Sequence, residues 1–340
     1  TCALPISLFV LDLFMLLFVF FFIPTDKLMQ SSEILDPGIK EIHKWIFILF
    51  PISFVLLCLL FLLNMFNFLT NIAVGITPLF FIGYIAQKVE NDVMIKDRAF
   101  PSFVRSMGTA TEIKGGATMH ALQSLQVHDF GPLNNLARDL YRRLKTGCDK
   151  YHSWKHFAAE SGSNLIYQFS QIFADSVFLG GSPSRIGDII SKNFMHMLSL
   201  RKLKMQLGST LRGSLYGSLV GFASAAYISA QIADMLGGLF QIPFQNASGV
   251  NSVLGDLTSE LAPGGALAVD MNMILVYIGI MVIIHAIVSA LIIKIVDGGT
   301  PYAMFFDIVC MIWLGAIVSM VLPWGVQLML PGLNELLVAT

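Results

Sequence analysis

Residues Phe178–Ile190 read FLGGSPSRIGDII. A glycine pair, an arginine and a third glycine ahead of an apolar run resemble a phosphate cradle, which would make this an α/β nucleotide-binding protein. The spacing does not support that. The P-loop pattern needs two glycines five apart followed by Lys and Ser or Thr. Counting from Gly180 and Gly181 lands instead on Arg185 and Ile186, and Gly187 is followed by Asp188, whose charge would repel a phosphate. The dinucleotide fingerprint fails as well, and no alternating strand precedes the turn. The remaining reading is a helix–turn–helix, with Gly180-Gly181 closing one helix and Ser182-Pro183 opening the next.

The flanking sequence agrees. Between 87 and 212 there is no strand alternation of any length. Apolar residues recur at helical spacing instead, as in Phe103, Met107 and Ala110, then Leu133, Leu136, Leu140 and Leu144, then Leu165, Phe169, Ile172 and Phe173. Gly115-Gly116, Gly131-Pro132, Gly147, Ser161-Gly162 and Gly180–Pro183 cut the segment into helix-sized pieces. The expectation is an all-helical bundle whose last helix, from about Ser184, continues through Arg201–Lys204 toward an apolar span.

Apolar spans account for much of the remaining chain. The 340 residues have a mean hydropathy of +0.72, with 55% hydrophobic and only 13% charged residues, against about 25% charged in soluble domains. A bilayer core needs about 20 apolar helical residues. Candidates lie at 4–23, 46–63, 68–86, 213–235, 272–293 and 304–322. The third is the weakest, with Asn64, Asn67 and Asn71 near its start and Pro78 inside it; were 46–86 one span plus an interfacial segment, the N-terminal topology would change. The fold class is therefore an all-α polytopic membrane protein, with about six transmembrane helices and one cytoplasmic helical bundle. The expected organisation is an N-terminal membrane region (1–86), a basic domain (87–212) and a C-terminal membrane region (213–340). The apolar run at the start lacks a basic n-region and a cleavage site, so it is not read as a signal peptide. With no initiating Met before it, the chain is taken as part of a longer protein.

Charge tests the topology. Of 21 Lys and Arg, 17 lie between Gln87 and Arg212. Lys27, Lys40 and Lys44 occupy the 24–45 loop, and Lys294 follows the fifth span. Six spans place all three segments on one side, and the positive-inside rule makes that side cytoplasmic. The opposite loops, 64–67 and 236–271, contain no Lys or Arg. The 87–212 segment has a net charge of +7 and the remainder −8, so the overall −1 conceals a basic domain joined to an acid-leaning membrane part. Asn246-Ala247-Ser248 in the outer loop matches the glycosylation acceptor pattern. Cys2, Cys58, Cys148 and Cys310 form neither a zinc spacing nor a disulfide framework, consistent with a reduced compartment.

Candidate chemistry is sparse. The basic run Arg138, Arg142, Arg143, Lys145, Lys150 and Lys155 admits three readings: a solvated face near an anionic membrane, a docking surface for an acidic protein, or a nucleic-acid surface. Tyr141, Tyr151 and Trp154 prompt the last, which would weaken steeply with salt. His152 and His156 share a helix face that Glu160 extends, but no further ligand completes a metal set. His285 lies mid-span, a functional hypothesis by default, though a hydrogen bond to another helix explains it more simply. Asp12, Asp234, Asp297 and Asp307 lie in or near spans and raise an intramembrane aspartyl protease, which needs two carboxylates sharing a proton. Asp297-Gly298-Gly299 lacks the Gly-x-Gly-Asp arrangement of a prepilin peptidase, and a tight turn accounts for Gly298 and Gly299. A transporter or channel would call for a broken span or paired midplane charges, and neither is evident. No catalytic, cofactor-binding or metal residue is assigned, and no enzymatic activity is expected.

The order of elements nevertheless resembles a family. Phe100–Thr109 (FPSFVRSMGT), Gly115-Gly116 with Ala121-Leu122, Leu136–Gly147 (LARDLYRRLKTG), Phe178–Ile190 and Val296–Met304 (VDGGTPYAM) are similar to the type II secretion F domain. That domain is the core of the platform proteins of type IV pilus-like machines, and the likeness is greatest to the archaellum assembly branch. It spans roughly 87–322. Bacterial relatives resemble a pattern with Gly-Glu near the domain's end, where this chain has Leu179-Gly180-Gly181. Platform proteins of this kind usually hold two such domains and this chain shows one, in keeping with a partial chain. The resemblance implies a non-enzymatic membrane platform, with a cytoplasmic hexameric motor ATPase, archaellin or pilin-like subunits, the lipid bilayer and a second copy of itself as partners. It implies neither cofactor nor nucleic acid, and it favours docking as the role of the basic run.

Overall fold

A computed structural model describes residues 3–22, 28–29, 37–63, 67–246 and 271–329. Ten α-helices occur among them: α1 (Ala3–Phe22), α2 (Pro37–Leu63), α3 (Phe68–Ile113), α4 (Thr118–Leu125), α5 (Asn134–Lys145), α6 (Lys150–Ser161), α7 (Asn164–Phe178), α8 (Pro183–Asn246), α9 (Met271–Asp297) and α10 (Met304–Met329). No strand is formed among the described residues beyond one isolated bridge between Met29 and Ser163. The protein is an all-α polytopic membrane protein.

Two cores organise it. In the bundle, Phe103, Met107, Leu133, Leu140, Leu144, Trp154, Leu165 and Phe173 are buried together with Phe100 and Phe194, whose tilted rings lie 4.9 Å apart. Most of the periodic positions seen in the sequence lie in or against this core. Ile172 is the exception: it faces outward, because Phe173 takes the inward position of that turn. In the membrane part, Leu215, Leu219, Ala223, Tyr227, Val282, Ala286, Met311 and Ile312 pack α8, α9 and α10 together. Residues such as Phe47 and Leu62, each 86% exposed on α2, present apolar surface outward. Water would penalise that surface and a lipid environment accepts it.

Among the described residues, four helices are long and apolar enough to cross a membrane, within α2, α3, α9 and α10, and Val10–Phe22 of α1 adds a shorter apolar stretch. The segment 213–235 differs from expectation. It does not end a span at 235 but continues as helix to Asn246, and Gly213, Ser214, Gly217, Ser218, Gly221 and Ser224 dilute its hydropathy. Of the glycosylation pattern, Asn246 ends α8, while Ala247 and Ser248 lie outside the described residues, as does most of the expected outer loop. The weakest predicted span holds: α3 runs unbroken through Pro78, with Thr77 donating to the Ala73 carbonyl beside it.

The boundaries expected at 86/87 and 212/213 both fall inside continuous helices. At 1.5 Å per residue, the 46 residues of α3 extend about 70 Å and the 64 of α8 about 95 Å. Both pass from the apolar core into the bundle. The three segments that charge places on one side also meet in space: the Leu28 amide donates to the Gly298 carbonyl, and the Leu28 carbonyl accepts from the Asn164 amide.

Candidate functional site: the charged seam and the basic bundle

Where α3 and α8 leave the apolar core, carboxylates and cations from distant parts of the sequence converge. Glu90 of α3 accepts from Lys294 Nζ at 2.9 Å and from the Thr300 hydroxyl at 2.7 Å, and also from the Thr300 amide. Gly299 makes this possible, because any Cβ there would collide with the Glu90 carboxylate. Gly298 ends α9 at φ +75°, a conformation that glycine adopts without penalty. About two turns further along α3, Asp97 receives Arg201 of α8 at 2.6 Å, with side chains 1% and 15% exposed. On α8, Arg212 holds Asp297 at 2.7 Å and Asp307 at 3.3 Å, and the Tyr216 hydroxyl donates to Asp307 at 3.0 Å. Asp297 and Asp307 thus share one arginine.

Deeper in the membrane part, His285 Nδ1 lies 2.6 Å from Asp12 Oδ2, and its Nε2 lies 3.3 Å from the Ser218 hydroxyl. Ser218 also donates to the Leu215 carbonyl of its own helix. The mid-span histidine therefore fastens α1 to α8 and α9.

The opening turn has a definite structure. Gly180 follows α7 at φ +88°, and α8 begins at Pro183. The Glu112 carboxylate at the end of α3 accepts from the Ser184 amide at 2.9 Å and from the Ser182 hydroxyl at 3.2 Å. The seat that a phosphate would take at a helix N-terminus is filled by the chain's own carboxylate. A few residues on, Gly187 lies against Gly108, where a Cβ would come 2.8 Å from the Val104 carbonyl.

The six basic residues divide by environment. Arg143 turns inward and pairs with Glu160 of α6. Arg142 pairs with Asp139 at 3.1 Å on the same exposed face. Lys145 lies over Tyr141 and Lys150 over Phe178. Arg138 is exposed at the rim of a cleft, and Lys155 is half-buried. Asp149 caps α6 through the His152 amide, and no group of three His, Cys, Asp or Glu able to hold a metal occurs among the described residues.

Comparison with known proteins supplies the relationship. Over 308 residues the chain is 33% identical to Flagella accessory protein J of Methanocaldococcus jannaschii, covering 87% of this chain and 53% of that protein. This chain is a relative of Flagella accessory protein J. The protein of the same name from Methanococcus voltae is 30% identical over 309 residues, again covering 53% of its own length. The chain thus spans about half the length of the curated relatives it matches. No family model matches it, and no solved structure does.

In this Flagella accessory protein J relative, the seam was the feature least visible in the sequence. Arg201 and Arg212 register there only as basic residues near a span end. Their partners lie 104, 85 and 95 residues away, and such pairings leave no periodic trace. The one available signal was the presence of carboxylates (Glu90, Asp97, Asp297, Asp307) in an otherwise basic border.

Proposed function

We propose that this chain is the integral-membrane platform of an archaellum assembly machine. Its basic bundle, 87–212, lies in the cytoplasm and docks a hexameric motor ATPase through Arg138, Arg142, Arg143, Lys145, Lys150 and Lys155. The membrane helices pass the resulting motion to archaellin or pilin-like subunits, in a platform formed by two copies of the chain. The observation that carries this reading is the continuity of α3 and α8, single helices that run from the bundle into the membrane part. A displacement of the bundle is therefore a displacement of both helices, and the buried pairs Asp97–Arg201 and Glu90–Lys294 keep them from sliding past their neighbours. The Flagella accessory protein J relationship supports the machine. The +7 charge of the bundle supports electrostatic steering of an acidic partner.

The test is binding of the full chain, in nanodiscs, to the purified motor ATPase. Binding should weaken as salt rises, and Arg142→Glu/Lys145→Glu should slow association by about tenfold or more at low ionic strength. These two positions are exposed, so reversal spares the Arg143–Glu160 pair. Absent or salt-insensitive binding would sink the docking.

A further inference from the structure

The same bundle carries an apolar cleft with a basic rim, and we infer that it takes an acidic amphipathic segment of the motor ATPase. This inference rests on the docking proposed above and adds to it an anchoring site distinct from the α5–α6 face. The last turns of α3 and the end of α4 enclose a cleft of about 530 Å³, lined by Arg105, Thr109, Ile113, Lys114, Leu125 and His128. A second hollow of about 180 Å³ adjoins it across Leu125 and His128 and reaches Val127 and Arg138. Ile113 is 75% exposed and Val127 91%, whereas the aliphatic residues beneath them are packed into the bundle core. Two bare β-branched side chains beside a concavity provide the apolar part of a helix-in-groove site.

Charge commits the occupant. Arg105, Lys114, Arg138 and His128 border the two hollows. The acidic groups nearby are already engaged. Asp129 turns back on its own loop and accepts from the Gly131 amide and the Asn134 side chain. Asp188 lies 3.5 Å from Arg105 but only 2.7 Å from Lys192. The rim is therefore net positive, and carboxylates flanking an apolar anchor complement it. Arg105 of α3 and Lys114 at its C-cap both line the cleft, about 13 Å apart along the axis, a span that acidic residues two to three turns apart on a docked helix would match. Distance along α3 argues against a lipid surface as the occupant. Ile113 lies about 35 Å along α3 from Glu90 at the seam, several Debye lengths at physiological salt.

The experiment compares full-length variants in nanodiscs for binding to the purified motor ATPase over a range of salt. Ile113→Asp/Val127→Asp should raise Kd by about tenfold or more at every salt concentration, as loss of an apolar anchor does. Lys114→Glu should weaken binding at low salt and flatten the salt dependence. Unchanged affinity in both variants, with wild-type binding intact, overturns the cleft while leaving the platform reading in place. No binding by the wild type removes the platform reading and the cleft with it. A photo-crosslinker at Val127 supplies an independent measurement. Capture of an acidic ATPase segment supports the site, and capture of a second copy of this chain, or of added RNA in preference to the ATPase, overturns it.

Discussion

Gly187, the last glycine of the opening stretch, matters because of what it lacks. It lets α8 cross α3 at Gly108 with their backbones nearly touching, and a methyl group there would press on the backbone of α3, 2.8 Å from the Val104 carbonyl and 3.2 Å from the Gly108 Cα. Gly187→Ala should lower stability by about 1–3 kcal/mol, the usual cost of overpacking. Thermal unfolding in detergent measures it, and an unchanged midpoint would mean the helices can part without cost. Asp129 makes a second prediction at this scale. The Gly131 amide and then the Asn134 side chain hold its carboxyl below the ordinary range. A carboxyl depressed on folding stabilises the fold above its unfolded value, about 3.9, and the benefit is lost as pH falls through the folded value. The protection of the Gly131 amide, its exchange relative to a free peptide at the same pH, should therefore fall as the protein is acidified below about pH 4, and Asp129→Ala should remove that pH dependence.

At the scale of elements, α3 and α8 act as paired struts with a buried clamp between them. Removing Arg201 leaves Asp97 buried and charged without its partner. Arg201→Met should cost about 3–5 kcal/mol, and Asp97→Asn/Arg201→Met should recover part of it, since neither polar charge is then stranded. Unfolding of both variants in nanodiscs checks this; equal loss in the two would show that packing, not the pair, is what α8 supplies there. The helices themselves were legible from spacing and punctuation, including Pro183 at the first position of α8. The length of α8 beyond 235 was not, because Gly237, Gly238 and Pro243 read as helix breakers, although the helix runs through them to Asn246.

At the scale of the whole molecule, sidedness is the property to test. Leu28 touches both the α9–α10 turn and the start of α7, so these three points share one face, the face that the positive-inside rule would make cytoplasmic. Cys148 is exposed in the α5–α6 turn of that face. A membrane-impermeant maleimide should label it in inverted vesicles and not in intact cells, with Cys148→Ser as the blank. Labelling from outside the cell would reverse the orientation.

The sequence by itself determined the helical class, the main apolar spans, the asymmetric placement of Lys and Arg, and the exclusion of a phosphate cradle at Phe178–Ile190. These are properties of residues close in the chain, carried by helical periodicity, hydropathy and glycine spacing. Only the tertiary structure decided that Glu112 caps α8, that Arg212 bridges Asp297 and Asp307, and that His285 meets Asp12. Each of these joins residues tens to hundreds of positions apart. Burial in a low-dielectric interior requires a charged group to find a partner, but it does not prescribe where in the sequence that partner must lie.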